Sequence, residues 1–237
     1  MASLVKMADT LTSAIKSNIA KPFTVIVEGN IGSGKTTFIN HFKKYDNVCV
    51  LAEPVDLWRN CAGHNLLSYM YQDKARWGFT FQSYVQLTML KLHTLETTHP
   101  VKLMERSIFS ARYCFVEKML RDGILPSPSG SVLNEWFKWV IAKSNVSVDL
   151  IIYLRTSPEI VYQRMLARNR EEEKSVPLTF LKELHEMHEE WLYTKTSFSC
   201  PAPVITLNGD LDKSVIIDEY KKYESHILNK APVEVRI

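Results

Sequence analysis

The feature that most narrows what this chain can fold into is an apolar, β-branched run, Phe23-Thr-Val-Ile-Val27, followed one residue later by Gly29-Asn-Ile-Gly-Ser-Gly-Lys-Thr36. The second segment satisfies GxxxxGK[ST], which a chain of this length shows by chance about one time in a hundred at average residue usage. Its composition follows from its chemistry. Backbone N–H groups must point into a tight loop around phosphate oxygens, so side chains have to be absent where the backbone approaches. Three of the eight glycines, Gly29, Gly32 and Gly34, stand here. Lys35 can reach the terminal phosphates, Thr36 can offer its hydroxyl to Mg²⁺, and the helix opening at the loop adds its dipole. Gly29, Asn30, Ile31, Gly32, Ser33, Gly34, Lys35, Thr36 and Thr37 are therefore read as the binding segment for a nucleoside triphosphate.

Four further short apolar runs follow: Val48-Cys-Val-Leu51, Val101-Lys-Leu-Met104, Leu150-Ile-Ile-Tyr-Leu154 and Val204-Ile-Thr-Leu207. With helical patterns between them, they predict an α/β fold whose five-stranded parallel sheet is flanked by helices. Helices are expected over Thr36 to Tyr45, Phe79 to Thr97, from about Ser107 to Gly123, around Asn134 to Lys143, and from Pro177. Ile124 to Ser131, with Pro126, Pro128 and Gly130, reads as a surface loop.

The 237 residues are 46% apolar and 23% charged, the make-up of one compact domain. That domain is expected over 21–228, between a flexible arm at 1–20 and a tail at 229–237. The formal charge of +3 is small and the basic residues are dispersed, which argues against nucleic acid as a partner. No apolar stretch approaches the length of a membrane span. Cys49, Cys61, Cys114 and Cys200 form no CxxC pair, so free, buried thiols in a reducing compartment are expected. The first 21 residues contain Asp9 and no arginine, unlike a transit peptide, which favours a cytoplasmic or nuclear location with a mitochondrial one as the alternative.

A switch GTPase would need NKxD, and the Asn229-Lys-Ala-Pro232 segment has proline where the carboxylate belongs. A small-molecule kinase remains. In a doubly wound sheet ligands gather beyond the carboxyl ends of the strands. Glu53, in Leu51-Ala-Glu-Pro54, and Glu105-Arg106-Ser107 fall there. A carboxylate at the mouth of a phosphate site can take a proton from an attacking hydroxyl, and a neighbouring arginine can hold both.

Those motifs, with Trp58, Phe81-Gln-Ser-Tyr84, Glu105-Arg-Ser-Ile-Phe-Ser-Ala-Arg-Tyr113 and Tyr153-Leu-Arg-Thr-Ser-Pro158, resemble the deoxyribonucleoside kinases from about Pro22 to at least Leu192. The similarity is greatest to the branch holding the insect multisubstrate and mitochondrial thymidine kinases. It implies a P-loop kinase fold with a short Arg-rich lid, and ATP-dependent 5′-phosphorylation of deoxyribonucleosides in salvage. It also implies Glu53 as general base, Arg106 on the 5′-hydroxyl, and Thr36 and Glu105 toward Mg²⁺. By the same resemblance Gln82 reads the base, Trp58, Phe81 and Phe115 wall it, and Tyr71 and Glu173 grip the 3′-hydroxyl, with Met70 beside them in the substrate pocket. Val85, Met89 and Ala111 stand where relatives preferring deoxycytidine and purines carry an arginine and an aspartate, so thymidine and deoxycytidine are expected to be preferred. Arg164, Arg168 and Arg170 are the expected lid arginines, and Leu166 stands where some relatives carry another. A homodimer and feedback inhibition by a deoxynucleoside triphosphate are further expectations of the resemblance. A nucleoside monophosphate kinase is the alternative, although Glu53 would repel a phosphorylated acceptor.

Two further patterns are set aside. His185-Glu-Met-His188 has glutamate at the next position, where HExxH needs histidine, so both histidines are assigned to an amphipathic helix. Trp136 and Trp139 share a helix face and are read as core or subunit contact.

Overall fold

The computed structural model describes residues 21–229. The expected arm and all of the expected tail but Asn229 fall outside them. In chain order the elements are β1 (Phe23–Glu28), α1 (Lys35–His41), β2 (Val48–Leu51), α2 (Val55–Arg59), α3 (Leu66–Gln72), α4 (Lys74–Thr94) and β3 (Val101–Glu105). Then come α5 (Ile108–Ser110), α6 (Glu117–Arg121), α7 (Ser127–Lys143), β4 (Leu150–Arg155), α8 (Pro158–Arg168), α9 (Leu178–His188), β5 (Val204–Asn208) and α10 (Lys213–Leu228). A π-helical stretch, Ala111–Val116, joins α5 to α6, and a second, Glu189–Tyr193, extends α9.

All five strands are parallel, in the order β2-β3-β1-β4-β5. The strand that precedes the phosphate loop is therefore central, and its apolar run is buried on both faces. Val25 and Val27 pack with Phe38, Ile39 and Phe42 of the α1 region and with Ile216 and Tyr220 of α10. Ile26 packs on the other face with Met104, Ile151 and the side chains of α4, α7 and α9. This is the two-residue alternation of a pleated strand with a helical layer on each side.

Several helix boundaries differ from expectation for local reasons. Helix α4 starts at Lys74 and not at Phe79, because the Asp73 carboxylate accepts the N–H of Arg76 at 3.1 Å and caps it. Helix α7 starts at Ser127, inside the segment read as loop: Pro128 lies in the first turn, where no N–H is needed, and Gly130 lets the helix lie against Leu120. Helix α1 ends at His41, and a 3₁₀ turn, Phe42–Lys44, leads into extended Tyr45.

All four cysteines are free, but Cys114 is buried while Cys49, Cys61 and Cys200 are only partly so. Trp136 and Trp139 are 60% and 55% exposed, which removes the core reading of that pair. His185 and His188 lie on α9 as expected.

Candidate active site

The carboxyl ends of the strands and the helices α2 to α4 enclose a cleft of about 820 Å³, the size of a small-molecule site. Its floor is the loop after β1. Gly32 has φ +79°, and a Cβ there would stand 2.7 Å from the Val161 carbonyl oxygen, so the loop leaves no room for a side chain against α8. Ile31, Gly32, Gly34, Lys35, Thr36 and Thr37 line the cleft. Gly29, Asn30 and Ser33 lie behind this wall. Asn30 works there as a brace, its amide donating to the Leu181 carbonyl at 2.7 Å and accepting the Ile31 N–H at 2.8 Å.

The buried Lys35 ammonium folds onto the loop's own carbonyls, Gly29 at 3.1 Å and Asn30 at 2.6 Å. Burial, and then the Arg106 charge, lower its pKa to about 7. Beside it the Thr36 hydroxyl donates to Glu105 Oε1 at 2.7 Å. A hydroxyl and a carboxylate side by side at the end of a phosphate loop are the hard oxygen ligands that suit Mg²⁺, which takes one or two such groups and fills its shell with phosphate oxygens and water.

The acceptor end is built on β2 and β3. Glu53 follows β2 and Arg106 follows β3, and Arg106 Nε lies 2.9 Å from Glu53 Oε1. The contact is ionic without being a well-aimed hydrogen bond: buried Nε and Nη1 of Arg106 both lack an aligned acceptor. The guanidinium also lies over the Phe115 ring, 4.8 Å from its centroid, which fixes its plane from the other side. The π-helical stretch places Ala111 and Phe115 on the cleft, an example of a widened helical turn at a functional position.

Deeper in, Phe81, Gln82, Val85 and Met89 of α4 line the cleft with Trp58 of α2 and with Met70 and Tyr71 of α3. Trp58 meets Phe81 edge-on at 5.7 Å, and its indole N–H donates to Thr88 at 2.9 Å. Gln82 is buried and its Oε1 has no hydrogen-bond partner, so the amide holds an acceptor ready for a ligand. Burial, and then the charge of Glu173, push the Tyr71 hydroxyl pKa up and keep its proton on.

Arg164, Arg168 and Arg170 reach the cleft from α8 and the turn after it. Arg164 is tethered to the carbonyls of Gly209 (2.8 Å) and Leu211 (3.2 Å) before α10. Arg168 donates to both oxygens of Glu173 at 2.7 and 2.6 Å, and Arg170 lies 3.4 Å from the same carboxylate. Leu166, between them in sequence, is exposed. Sequence reasoning missed the strap that ties this segment down. Arg59 of α2 makes a two-pronged ion pair with Glu172, at 2.8 and 3.0 Å, and holds the Glu172 pKa at about 2. The acidic run 171–173 marked charge there, but nothing in it specified a partner 113 residues away. Lys118 also borders the cleft, paired with Asp122 and Glu183 at 2.7 and 2.6 Å, and it too was not foreseen.

A phosphate loop on the central strand, a carboxylate–arginine pair facing it and a deep aromatic pocket with a buried amide define a P-loop phosphotransferase for a small acceptor. The family model for deoxynucleoside kinases matches residues 25–231, and the chain belongs to that family. It is similar to human mitochondrial thymidine kinase 2, at 49% identity over 88% of this chain and 78% of the relative. It is also similar to a probable deoxycytidine kinase of fowlpox virus, at 37% over 86% and 85%, and to deoxycytidine kinase 2 of Gallus gallus, at 32% over 90% and 91%. The chain is therefore a deoxynucleoside kinase of the salvage type, using ATP as donor, and the monophosphate-kinase alternative falls.

Proposed function

We propose that the chain transfers the γ-phosphoryl group of Mg²⁺-ATP to the 5′-hydroxyl of pyrimidine deoxyribonucleosides, thymidine and deoxycytidine ahead of the purines. The observation that carries this reading is the Glu53–Arg106 pair, set in one cleft between the Lys35 loop and the buried Gln82 amide. Arg106 donates to the 5′-hydroxyl with the N–H groups that lack an acceptor, and Glu53 takes the hydroxyl proton. The alkoxide oxygen then attacks the γ-phosphorus in line as the bond to the ADP oxygen breaks. Lys35 leaves the loop carbonyls for the phosphates, and Arg164, Arg168 and Arg170 offset the charge that develops on the transferred group. Thr36 and Glu105 hold Mg²⁺, which supplies further neutralisation of the phosphates.

Gln82 addresses the base with a donor and an acceptor, between Trp58, Phe81 and Phe115. Val85, Met89 and Ala111 are nearly fully buried and line the cleft with no charge, leaving apolar space for a thymine methyl group. Tyr71 and Glu173 face the sugar, with Met70 packed beside them. Because one continuous cleft holds both ends, a deoxynucleoside triphosphate that seats its base in the acceptor pocket brings its phosphates toward the loop, which supports feedback inhibition. The exposed Trp136–Trp139 pair, with Val132 and Ile141 on the same helix, supports a homodimer formed through α7. The relatives named mitochondrial support a mitochondrial location over the cytoplasmic or nuclear one.

Labelled γ-phosphate transfer to a panel of the four natural deoxynucleosides and thymidine monophosphate tests the reaction. Transfer led by thymidine and deoxycytidine is expected. Purines leading would overturn the pocket reading, and labelling of the monophosphate alone would remove Glu53 from its role.

A further inference from the structure

Glu28, the last residue of β1, carries a carboxyl that the chemistry above does not use. It is fully buried; Oε1 accepts the Ser107 hydroxyl at 2.5 Å, and Oε2 has no hydrogen-bond partner. Burial pushes its pKa up to about 7, against the pull of Arg106, the Ser107 and Ser110 hydroxyls, and Lys35. Around it stand Lys35 at the head of α1, Arg106 at the end of β3 and buried Cys114 on the π-helical stretch, whose thiol pKa is raised by burial and then by Glu28. Buried His188 of α9 lies in the field of Arg106 and Lys35, and its Nε2 is without a partner.

The hydrogen-bond inventory of Ser107 shows what Glu28 does. A serine hydroxyl has one proton and two lone pairs. Both lone pairs are engaged at the head of α5, by the N–H groups of Phe109 (3.1 Å) and Ser110 (3.2 Å). The proton goes to Glu28. On the other side of the turn the Arg106 N–H donates to the Val27 carbonyl at 2.9 Å, and Arg106 itself has φ +61°, a conformation that costs energy for a residue with a Cβ. Strand β1 therefore pins this turn twice, before the arginine by a backbone carbonyl and after it by a carboxyl.

We propose that Glu28 is a positioning residue for Arg106: through the Ser107 hydroxyl its buried carboxyl holds the left-handed turn from which the guanidinium meets Glu53. The inference rests on the reading of Arg106 as the grip on the acceptor hydroxyl. A neutral Glu28 leaves the arginine's charge to Glu53 and the acceptor. An ionised one competes for that charge from behind, so acceptor kcat/KM declines as pH rises through about 7, beyond the decline that the loss of the Lys35 charge causes in the same range in wild type and Glu28 variants alike.

The test is steady-state kinetics with thymidine from pH 6 to 8.5, with thermal melting, on Glu28→Ala, Glu28→Gln and Arg106→Lys. Arg106→Lys is expected to lose ~100-fold in acceptor kcat/KM, as misplacement of a reacting group by 1 Å does. Glu28→Ala is expected to lose ~10-fold, with the thymidine KM moving more than the ATP KM. Glu28→Gln, which keeps an acceptor for Ser107, is expected to match wild type at pH 6 and to exceed it increasingly above pH 7, where only the decline from Lys35 remains. If Arg106→Lys is impaired while both Glu28 variants follow the wild-type profile, Glu28 merely fills space and the inference is overturned. If Arg106→Lys turns over normally, the assignment of Arg106 falls and the inference with it. Should Glu28→Ala melt below the assay temperature, the pH profile of Glu28→Gln decides.

Discussion

An arginine that grips a hydroxyl must keep a donor spare, and a carboxylate that takes a proton must stand beside it without being consumed by it. Arg106 and Glu53 meet both conditions, close enough at 2.9 Å to attract and misaligned enough to leave two guanidinium nitrogens, Nε and Nη1, unanswered. Glu53→Gln keeps the size of the side chain and removes its basicity. Its kcat is expected to fall ~10²–10⁴-fold, the usual worth of a positioned base, while the thymidine Kd stays within a few-fold by titration calorimetry. Selectivity belongs to the same scale. Met89 and Ala111 are 1% and 3% exposed and uncharged, so Met89→Arg with Ala111→Asp would pair two charges in the space left for a methyl group. The double variant is expected to lower kcat/KM for thymidine and raise it for deoxyadenosine relative to wild type, as read from competing-substrate assays. Single charged variants, each burying an unpaired ion, should lose stability in a melting scan where the pair does not.

Among the elements, the strap between α2 and the turn after α8 has the clearest consequence. The Arg59–Glu172 pair is partly exposed and worth about 0.5–1 kcal/mol. Arg59→Ala is thus expected to speed nucleoside release by about 2- to 5-fold in stopped-flow chase experiments, with little change in the phosphoryl-transfer step. The Glu172 carboxylate, held at about 2 in the fold, is charged throughout the neutral range; its stabilising contribution is present above pH 4.5 and is lost as pH falls toward 2.

The elements also show what a sequence can reveal. All five strands start where their apolar runs start. Four of them end one residue later than those runs, at the polar residues Glu28, Glu105, Arg155 and Asn208, of which Glu105 lines the cleft. Lys35, Thr36, Glu53, Arg106 and Gln82 were legible through local motifs and resemblance, and the cleft brings them together. Arg59–Glu172 and Glu28–Ser107 were not, since each joins segments far apart in the chain and neither partner is unusual where it stands. Helix α10 went unread as well; its Ile216, Tyr220 and Ile227 follow an apolar period that gives no hint of which sheet face they cover.

For the molecule as a whole, the face of α7 that carries Trp136 and Trp139 is a large aromatic surface turned to solvent, the two rings packed edge to face at 6.2 Å. Sedimentation velocity at micromolar concentration is expected to give a dimer, and Trp136→Glu with Trp139→Glu a monomer that keeps the same far-ultraviolet circular dichroism.

The strand order β2-β3-β1-β4-β5 contains no hairpin, so every pairing in the sheet closes a long stretch of chain before it gains a single ladder bond. Folding of this kind has a high contact order and is slow. Glu53 and Arg106 reach the centre through β2 and β3, Arg164 and Arg168 through β4, and these arrive on opposite sides of β1. No early, local intermediate holds both sets together. Nucleoside and ATP together therefore favour the finished sheet over every partly assembled form by mass action, so a lesion in an outer strand far from the chemistry can be rescued by supplying substrate.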